Sequence, residues 1–282
     1  VDDLKIPKFI GSLNDSASAD IILAGFPYDC TSSFRSGSRF ASREIRAYSY
    51  EAIESFSIYC HKDLGEIRFF DAGDLGMMFG NPADMVKQVK TVASKIMTQN
   101  RKLLGIGGEH LVTFPLYLAT QEIYGGFTLV QLDAHADLRG EYSGDGLNHA
   151  CVMKLCLDKG LKKLIQIGIR SCTKEECEIR DNEDRIIPLS SHKDLEDVLD
   201  TDEMIYLTVD VDFFDPAFFP GTGTPEAGGA SFTDFIEILN LFRKKQIHII
   251  GADIVEFAPD LDHSKISTAM AAKITRELLL VM

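Results

Sequence analysis

The segment Phe127-Thr128-Leu129-Val130-Gln131-Leu132-Asp133-Ala134-His135-Ala136-Asp137 decides the fold. Its first six residues are almost wholly apolar or β-branched, with no polar alternation. That is the pattern of a strand buried on both faces, and such strands belong to parallel sheets covered by helices. The last five residues change character at once. Asp133, His135 and Asp137 alternate by two, so in an extended segment all three side chains project to the same side.

Working outward, seven more runs of the same apolar kind lie at 20–25, 67–71, 102–106, 163–168, 185–188, 204–209 and 247–254. Helical stretches separate them, at about 42–56, 82–99, 113–122, 149–159, 173–180, 191–199, 231–243 and 265–280. Asn81-Pro82 and Ser231 supply the start signals of two of these helices. Eight alternations of this kind predict an α/β protein with a parallel sheet, either open with helices on both faces or closed into a barrel. No linker, low-complexity tract or internal repeat divides the chain, so a single domain over 1–282 is expected.

Three other strands run directly into acidic or histidine clusters. Residues 102–106 lead to Gly107-Gly108-Glu109-His110, 204–209 to Asp210-Val211-Asp212 and Asp215-Pro216, and 247–254 to Glu256. Ligands of parallel α/β sheets bind at the carboxyl ends of the strands, so four strands would deliver these groups to one crevice. Several carboxylates close together in a low-dielectric crevice repel strongly, and cations relieve that repulsion. Two divalent ions are the natural count. Two histidines and four aspartates make an oxygen-rich set, which favours Mn²⁺ over thiolate-seeking zinc. Other glycine-rich stretches do not compete: Gly221–Gly229 lacks a Gly-Lys-Ser/Thr ending, and Gly105-Ile106-Gly107-Gly108 is not a dinucleotide fingerprint.

The overall charge agrees with a cationic rather than an anionic ligand. Asp and Glu number 43 against 29 Lys and Arg, giving a net charge of −14. Nucleic acid and anionic membranes call for basic surfaces, so neither is an expected partner. No apolar run approaches the roughly 18 residues of a membrane span, and the first residues, Val1-Asp2-Asp3-Leu4-Lys5, do not follow the basic-then-apolar pattern of a signal peptide. A cytoplasmic protein is expected. In such a setting the six cysteines (30, 60, 151, 156, 172 and 177) are expected to be reduced, mostly buried thiols.

These residues together resemble the ureohydrolases, the arginase and agmatinase family, and most closely the bacterial and archaeal agmatinases. The likeness covers nearly the whole chain. It begins at Gly25-Phe26-Pro27-Tyr28-Asp29 and continues through Thr31–Phe40, Gly107–His110, Asp133–Asp137, Asn148-His149-Ala150 and Thr208–Pro216. It ends at Gly221–Glu226 and Asp253–Glu256. The resemblance implies an open three-layer α/β/α fold with an eight-stranded, mainly parallel sheet.

It also implies a binuclear manganese site, two ions per subunit. His110, Asp133, Asp137 and Asp210 would hold one ion, and Asp133, His135, Asp210 and Asp212 the other. A hydroxide bridging the ions would attack the guanidinium carbon of agmatine, giving putrescine and urea. Glu256 would pair with the guanidinium, Asp137 would pass a proton to the leaving amine, and His149, with a near-neutral pKa, would shuttle protons at the site mouth. Homo-oligomers, trimers or hexamers, are implied as well.

Substrate choice is less sharply written. Arg170 is followed by Ser171-Cys172-Thr173 where arginases carry acidic residues, which favours agmatine. Guanidinobutyrate, guanidinopropionate, arginine and formiminoglutamate are the alternatives, as is an inactive metal-binding homologue. Glu141 or Asp145 could pair with an amine tail. Arg35 and Arg39 suit either a loop tie or a substrate contact. Leu111 stands where agmatinases usually have Ser, which removes a hydroxyl from the surroundings of the metals. His61, His192, His248 and His263 read as surface or structural residues.

Overall fold

A computed structural model describes residues 7–282. In chain order its strands are β1 Ile21–Phe26, β2 Phe56–Ser57, β3 Lys62–Asp63, β4 Phe69–Asp74, β5 Lys102–Gly107, β6 Thr128–Leu132, β7 Lys163–Ile167, β8 Ile186–Leu189, β9 Met204–Asp210 and β10 His248–Val255. The helices are α1 Ala41–Ala52, α2 Pro82–Met97, α3 Thr113–Tyr124, α4 Val152–Asp158, α5 Lys174–Asn182, α6 Leu195–Val198, α7 Phe232–Lys244 and α8 Ile266–Val281. Eight strands form one open sheet in the order β4-β1-β5-β10-β9-β6-β7-β8. Every pairing in it is parallel. The barrel alternative is therefore excluded, and all eight strands read from the sequence are present.

The period of two divides each strand between two cores. Ile21, Leu23, Leu104 and Ile106 point into one apolar cluster, closed by Ile45 of α1, Leu195 of α6, Phe235 and Leu239 of α7, and Leu278 of α8. Ile22, Ala24 and Leu103 point to the opposite side, where Met85 and Val89 of α2, Leu116 of α3 and Val152 of α4 cover them. This is the three-layer arrangement the resemblance implied. Burial on both faces is why these strands read as continuous apolar runs.

The helix-start signals act as read. The Asn81 side chain accepts the Ala83 N–H, with Pro82 opening α2, and Ser231 and Asp234 form a reciprocal capping box at α7. Each cap contributes on the order of 1 kcal/mol. The structure shortens two expected helices. The 149–159 stretch begins as a 3-10 turn, His149–Cys151, before α4, and 191–199 reduces to a 3-10 turn and the single turn of α6.

The 42–56 stretch also ends early, and Phe56–Ser57 pairs with Lys62–Asp63 in a small antiparallel hairpin instead. The cause is tertiary. Arg276 of α8 donates to the carbonyls of Glu54 and Phe56, and Glu277 accepts the Ser57 hydroxyl at 2.9 Å. These bonds satisfy carbonyls of the chain after α1 and hold it against α8 in the hairpin conformation. Among the described residues, no helix is long and apolar enough to cross a membrane.

Candidate metal centre and active site

The four middle strands of the sheet, β5, β10, β9 and β6, are consecutive neighbours. They are the four whose ends carry the acidic and histidine clusters. Leu132 pairs with Val209, Val255 with Asp210 and Ile254 with Ile106. Asp133, Asp210, Val255 and Gly107 therefore stand level at the carboxyl edge, and the clusters that follow converge there.

His110, Asp133 and Asp137 offer ligand atoms to one ion, and Asp133, His135 and Asp212 to a second; within each group the atoms lie within 4.8 Å of one another. Asp133 belongs to both groups. One of its oxygens, Oδ2, is 3.1 Å from His110 Nδ1, and the other, Oδ1, is 3.7 Å from His135 Nδ1. Asp210 joins the first group, with Oδ2 3.2 Å from His110 Nδ1, and Asp212 Oδ2 is 2.9 Å from His135 Nδ1. All six expected ligands are thus brought together.

The protonation pattern of His110 tests whether these residues fit a metal. Its Nε2 lies 3.0 Å from Thr208 Oγ1, and the Thr208 hydroxyl donates to Asp253 Oδ1 at 2.6 Å. Thr208 can then only accept from the imidazole, so Nε2 carries the proton. Nδ1 is thereby turned toward buried oxygens of Asp133, Asp137 and Asp210 at 3.1, 3.0 and 3.2 Å. Burial favours the neutral ring, but these carboxylates outweigh it and raise His110 well above the usual imidazole range, so a proton on Nδ1 stands where a cation would. Three carboxylate oxygens and one imidazole nitrogen aimed at one point are the donor set of a cation that displaces that proton. The residues fit.

Neighbouring groups hold the carboxylates in place. Asp133 accepts from Gln131 Nε2 at 2.7 Å and from the His135 N–H at 2.6 Å. Asp212 accepts the Ala134 N–H at 3.0 Å, and Asp210 accepts the Asp212 N–H at 2.9 Å. The two non-glycine turns at the edge are strained: Asp137 has φ 53° and Glu256 φ 64°. Such conformations cost roughly 1–3 kcal/mol each and survive where the surroundings over-determine them. Met153 and Lys154 N–H groups hold the Asp137 carbonyl, and the Glu256 N–H donates to the Gly108 carbonyl at 2.8 Å.

Charge is concentrated accordingly. Burial, then repulsion from Asp212 and Asp133, raises Asp210 well above the carboxylate range. Burial and Asp133 push Asp137 up to about 6. Burial opposes the ionised form of Asp133 too, but His110 and His135 prevail and hold it below the usual range. For His135 burial favours the neutral ring, yet Asp133 and Asp212 outweigh it and raise it to about 12. The negative potential that retains protons here is the potential that divalent cations satisfy.

One cavity opens over this centre. His110, His135, Asp137, Asp210, Asp212 and Glu256 line its floor, and Ser33, Arg139, Tyr142, His149, Thr173 and Glu176 line its walls. Glu256 is buried, raised well above the carboxylate range by burial and by nearby Glu109, and accepts the His110 N–H at 2.7 Å. His149 is in the wall as expected, but its expected near-neutral pKa is corrected. Burial pushes it down to about 4, with His110, His135 and Arg139 adding to the effect.

Other expectations change here. Cys172 and Cys177 form a disulfide, so not all six cysteines are free thiols; Cys30, Cys60, Cys151 and Cys156 are. The capped first turn of α5, which starts at Thr173, brings the two thiols together. Glu141 and Asp145 do not line the cavity, whereas the buried Glu176 does. Asp215 is not a ligand; it accepts N–H groups of Ala217, Gly228 and Gly229 and shapes its loop.

Arg35 binds the carbonyls of Thr222 and Gly223, and Arg39 pairs with Asp29, so both tie loops. Leu111 is fully buried among apolar side chains. His192 is satisfied by Glu237 at 2.9 Å. Thr208, Asp253, Gln131 and Glu176 had no role in the sequence reading. For Asp253 a signal existed, because a carboxylate inside an apolar strand must be buried and paired.

The geometry matches known proteins. The arginase family model covers residues 19–281. The agmatinase of Halalkalibacterium halodurans is 37% identical, spanning 96% of this chain and 95% of its own. The N(1)-aminopropylagmatine ureohydrolase of Thermococcus kodakarensis is 35% identical over 87% of this chain and 85% of its own. The crystal structure of the agmatine ureohydrolase of Thermoplasma volcanium superposes with a TM-score of 0.88 at 31% identity, covering 98% of this chain and 94% of that one. The chain belongs to the arginase family.

Proposed function

We propose that this protein is a binuclear manganese amidinohydrolase that hydrolyses agmatine to putrescine and urea. The observation that carries the reading is the pair of ligand groups sharing Asp133, set in one cavity with Glu256 and His149. The agmatinase names of its relatives support the substrate. Asp133 and Asp210 would bridge, His110 and Asp137 would complete one ion's shell, and His135 and Asp212 the other's. The oxygen-rich set favours Mn²⁺. When bound, two such ions supply a water activated for attack at neutral pH and Lewis-acid stabilisation of charge.

The chain's own residues do the rest. Glu256, through the oxygen not held by the His110 N–H, pairs with the guanidinium by charge-assisted hydrogen bonding and orients it in the cavity. Asp137, on the cavity floor, carries a proton from the attacking water to the leaving amine. His149, in the wall, exchanges protons with the product amine. Glu176 in the same wall is a better placed partner for a cationic tail than Glu141 or Asp145.

We further propose one domain over 1–282, a cytoplasmic location and a homo-oligomer, trimer or hexamer; the single eight-stranded sheet supports the first of these. The test is urea release by the Mn²⁺-loaded chain from agmatine, N(1)-aminopropylagmatine, guanidinobutyrate, guanidinopropionate and arginine, with ammonia or formamide release from formiminoglutamate. Agmatine is expected to have the highest kcat/KM. Turnover of another guanidine with none of agmatine would move the assignment within the family. Binding without turnover would make the protein an inactive homologue.

A further inference from the structure

We propose that Thr31 and Glu109 are positioning residues that lock His149 in the tautomer with its proton on Nδ1, leaving Nε2 to exchange protons in the cavity. The proposal rests on the hydrolase reading above and extends it to two residues that touch no metal.

Three loops meet at this point. Thr31 follows β1, Glu109 follows β5, and His149 opens the turn before α4. Gly108 makes the meeting feasible: a Cβ there would lie 1.8 Å from the Tyr28 carbonyl oxygen, so only glycine permits the approach. The Glu109 N–H donates to that same carbonyl at 2.7 Å. Glu109 is thereby fully buried and aimed at the loop after β1.

The hydrogen bonds then run in one direction. Thr31 Oγ1 donates to Glu109 Oε1 at 2.5 Å, and the Thr31 N–H donates to Oε2 at 2.8 Å. With Glu109 ionised, the single Thr31 hydroxyl proton is committed by this short bond, so its oxygen can only accept elsewhere. It accepts the His149 N–H at 3.1 Å and faces His149 Nδ1 at 3.4 Å. An oxygen without a free proton next to Nδ1 favours the tautomer with the proton on Nδ1. Catalytic hydrogen bonds of this length tighten when substrate fills the site.

The opposite edge of the ring agrees. Nε2 lies 3.3 Å from Ser33 Oγ, a hydroxyl at the cavity wall that can donate to its lone pair. The ring plane is fixed by Tyr142, edge-on at 5.9 Å, which itself lies under the Arg139 guanidinium. Tautomer and orientation are both set before substrate arrives, as an orienting carboxylate does for a catalytic histidine elsewhere. Here a threonine hydroxyl stands between the carboxylate and the ring.

Neutron diffraction from deuterium-exchanged crystals of the metal-loaded chain tests this directly. Deuterium is expected on His149 Nδ1, with the Thr31 hydroxyl directed at Glu109. Deuterium on Nε2 with Nδ1 bare, or on both nitrogens, overturns the proposal. Kinetics give a second readout. Thr31→Val should lower kcat by about 10- to 100-fold, leave KM within about twofold and keep both metals, and Thr31→Ser should recover most of the loss. A Thr31→Val kcat within about twofold of wild type, a loss of metal with it, or no recovery in Thr31→Ser also overturns it. Absence of turnover by the wild-type chain on every guanidine would instead defeat the hydrolase reading, and the diffraction result would still decide the tautomer.

Discussion

Glu256 accepts the backbone N–H of His110 at 2.7 Å, which ties the end of β10 to the first candidate ligand after β5. One carboxylate oxygen therefore orders the centre while the other is free for substrate. Glu256→Gln keeps an oxygen for the His110 N–H and removes the charge. We expect about a 10²- to 10³-fold fall in kcat/KM for agmatine, with metal content and melting temperature essentially unchanged. Steady-state kinetics beside elemental analysis checks this, and retained activity would remove Glu256 from the guanidinium site.

Asp133 faces both ligand groups, whereas His135 belongs to one. Asp133→Ala should abolish binding of both ions at micromolar Mn²⁺, and His135→Ala should weaken one ion more than the other. Calorimetric Mn²⁺ titration distinguishes the two cases. Equal loss in both variants would contradict the shared role of Asp133.

Chelator-treated protein should lose stability as pH rises. Asp137 is held up to about 6 and His135 to about 12, so between their unfolded values and these the native state retains protons that the unfolded chain has released. Glu109, raised to about 7 by burial against its Thr31 and Ser32 hydrogen bonds, acts in the same sense. With more protons bound to the native state, stability falls as pH increases. The window opens near pH 4 for the carboxyls and near 6.5 for the imidazole. Melting temperature of the metal-free chain should therefore decline from pH 5 to 8 and recover on adding Mn²⁺, because bound ions replace the protons. A rising melting temperature without metal would refute this pattern of retained protons.

Thiol counting tests the Cys172–Cys177 bond. Denatured, unreduced protein should titrate four thiols, those of Cys30, Cys60, Cys151 and Cys156, and all six after reduction. Six thiols without reductant would restore the all-reduced state expected from composition.

Leu111 is fully buried beside the candidate ligand His110. Leu111→Ser installs the hydroxyl usual in agmatinases but leaves a cavity among apolar neighbours, and should cost about 2–5 kcal/mol of stability. Denaturant unfolding measures it. A neutral result would mean that the surroundings can satisfy the hydroxyl.

The chain's order of residues was enough to mark the eight strands and the candidate ligands. A strand buried on both faces has to be apolar throughout, so eight such runs are legible without coordinates. Asp133, His135 and Asp137 are legible together as ligand-type residues at a strand end, but the segment is not extended as expected: β6 stops at Leu132, the chain turns at Asp137 with φ 53°, and His135 and Asp137 face different ligand groups. Where local signals and tertiary demands agree, as at Asn81-Pro82 and Ser231, helix ends are also legible.

Only the tertiary structure decided what depends on residues far apart in the chain. Sheet order made β5, β10, β9 and β6 neighbours, and nothing in any one segment records its neighbour in the sheet. The hairpin at Phe56–Asp63 owes its shape to Arg276 and Glu277, more than 200 residues away. The Thr208–Asp253 pair that orients His110 joins two strands, and the Glu109–Thr31–His149 chain joins three loops. The pKa of His149 turned on its burial, a property of the packed molecule. Composition and spacing are local and one-dimensional, whereas tautomers, charge states and cavity walls depend on groups that only packing brings within a few ångströms.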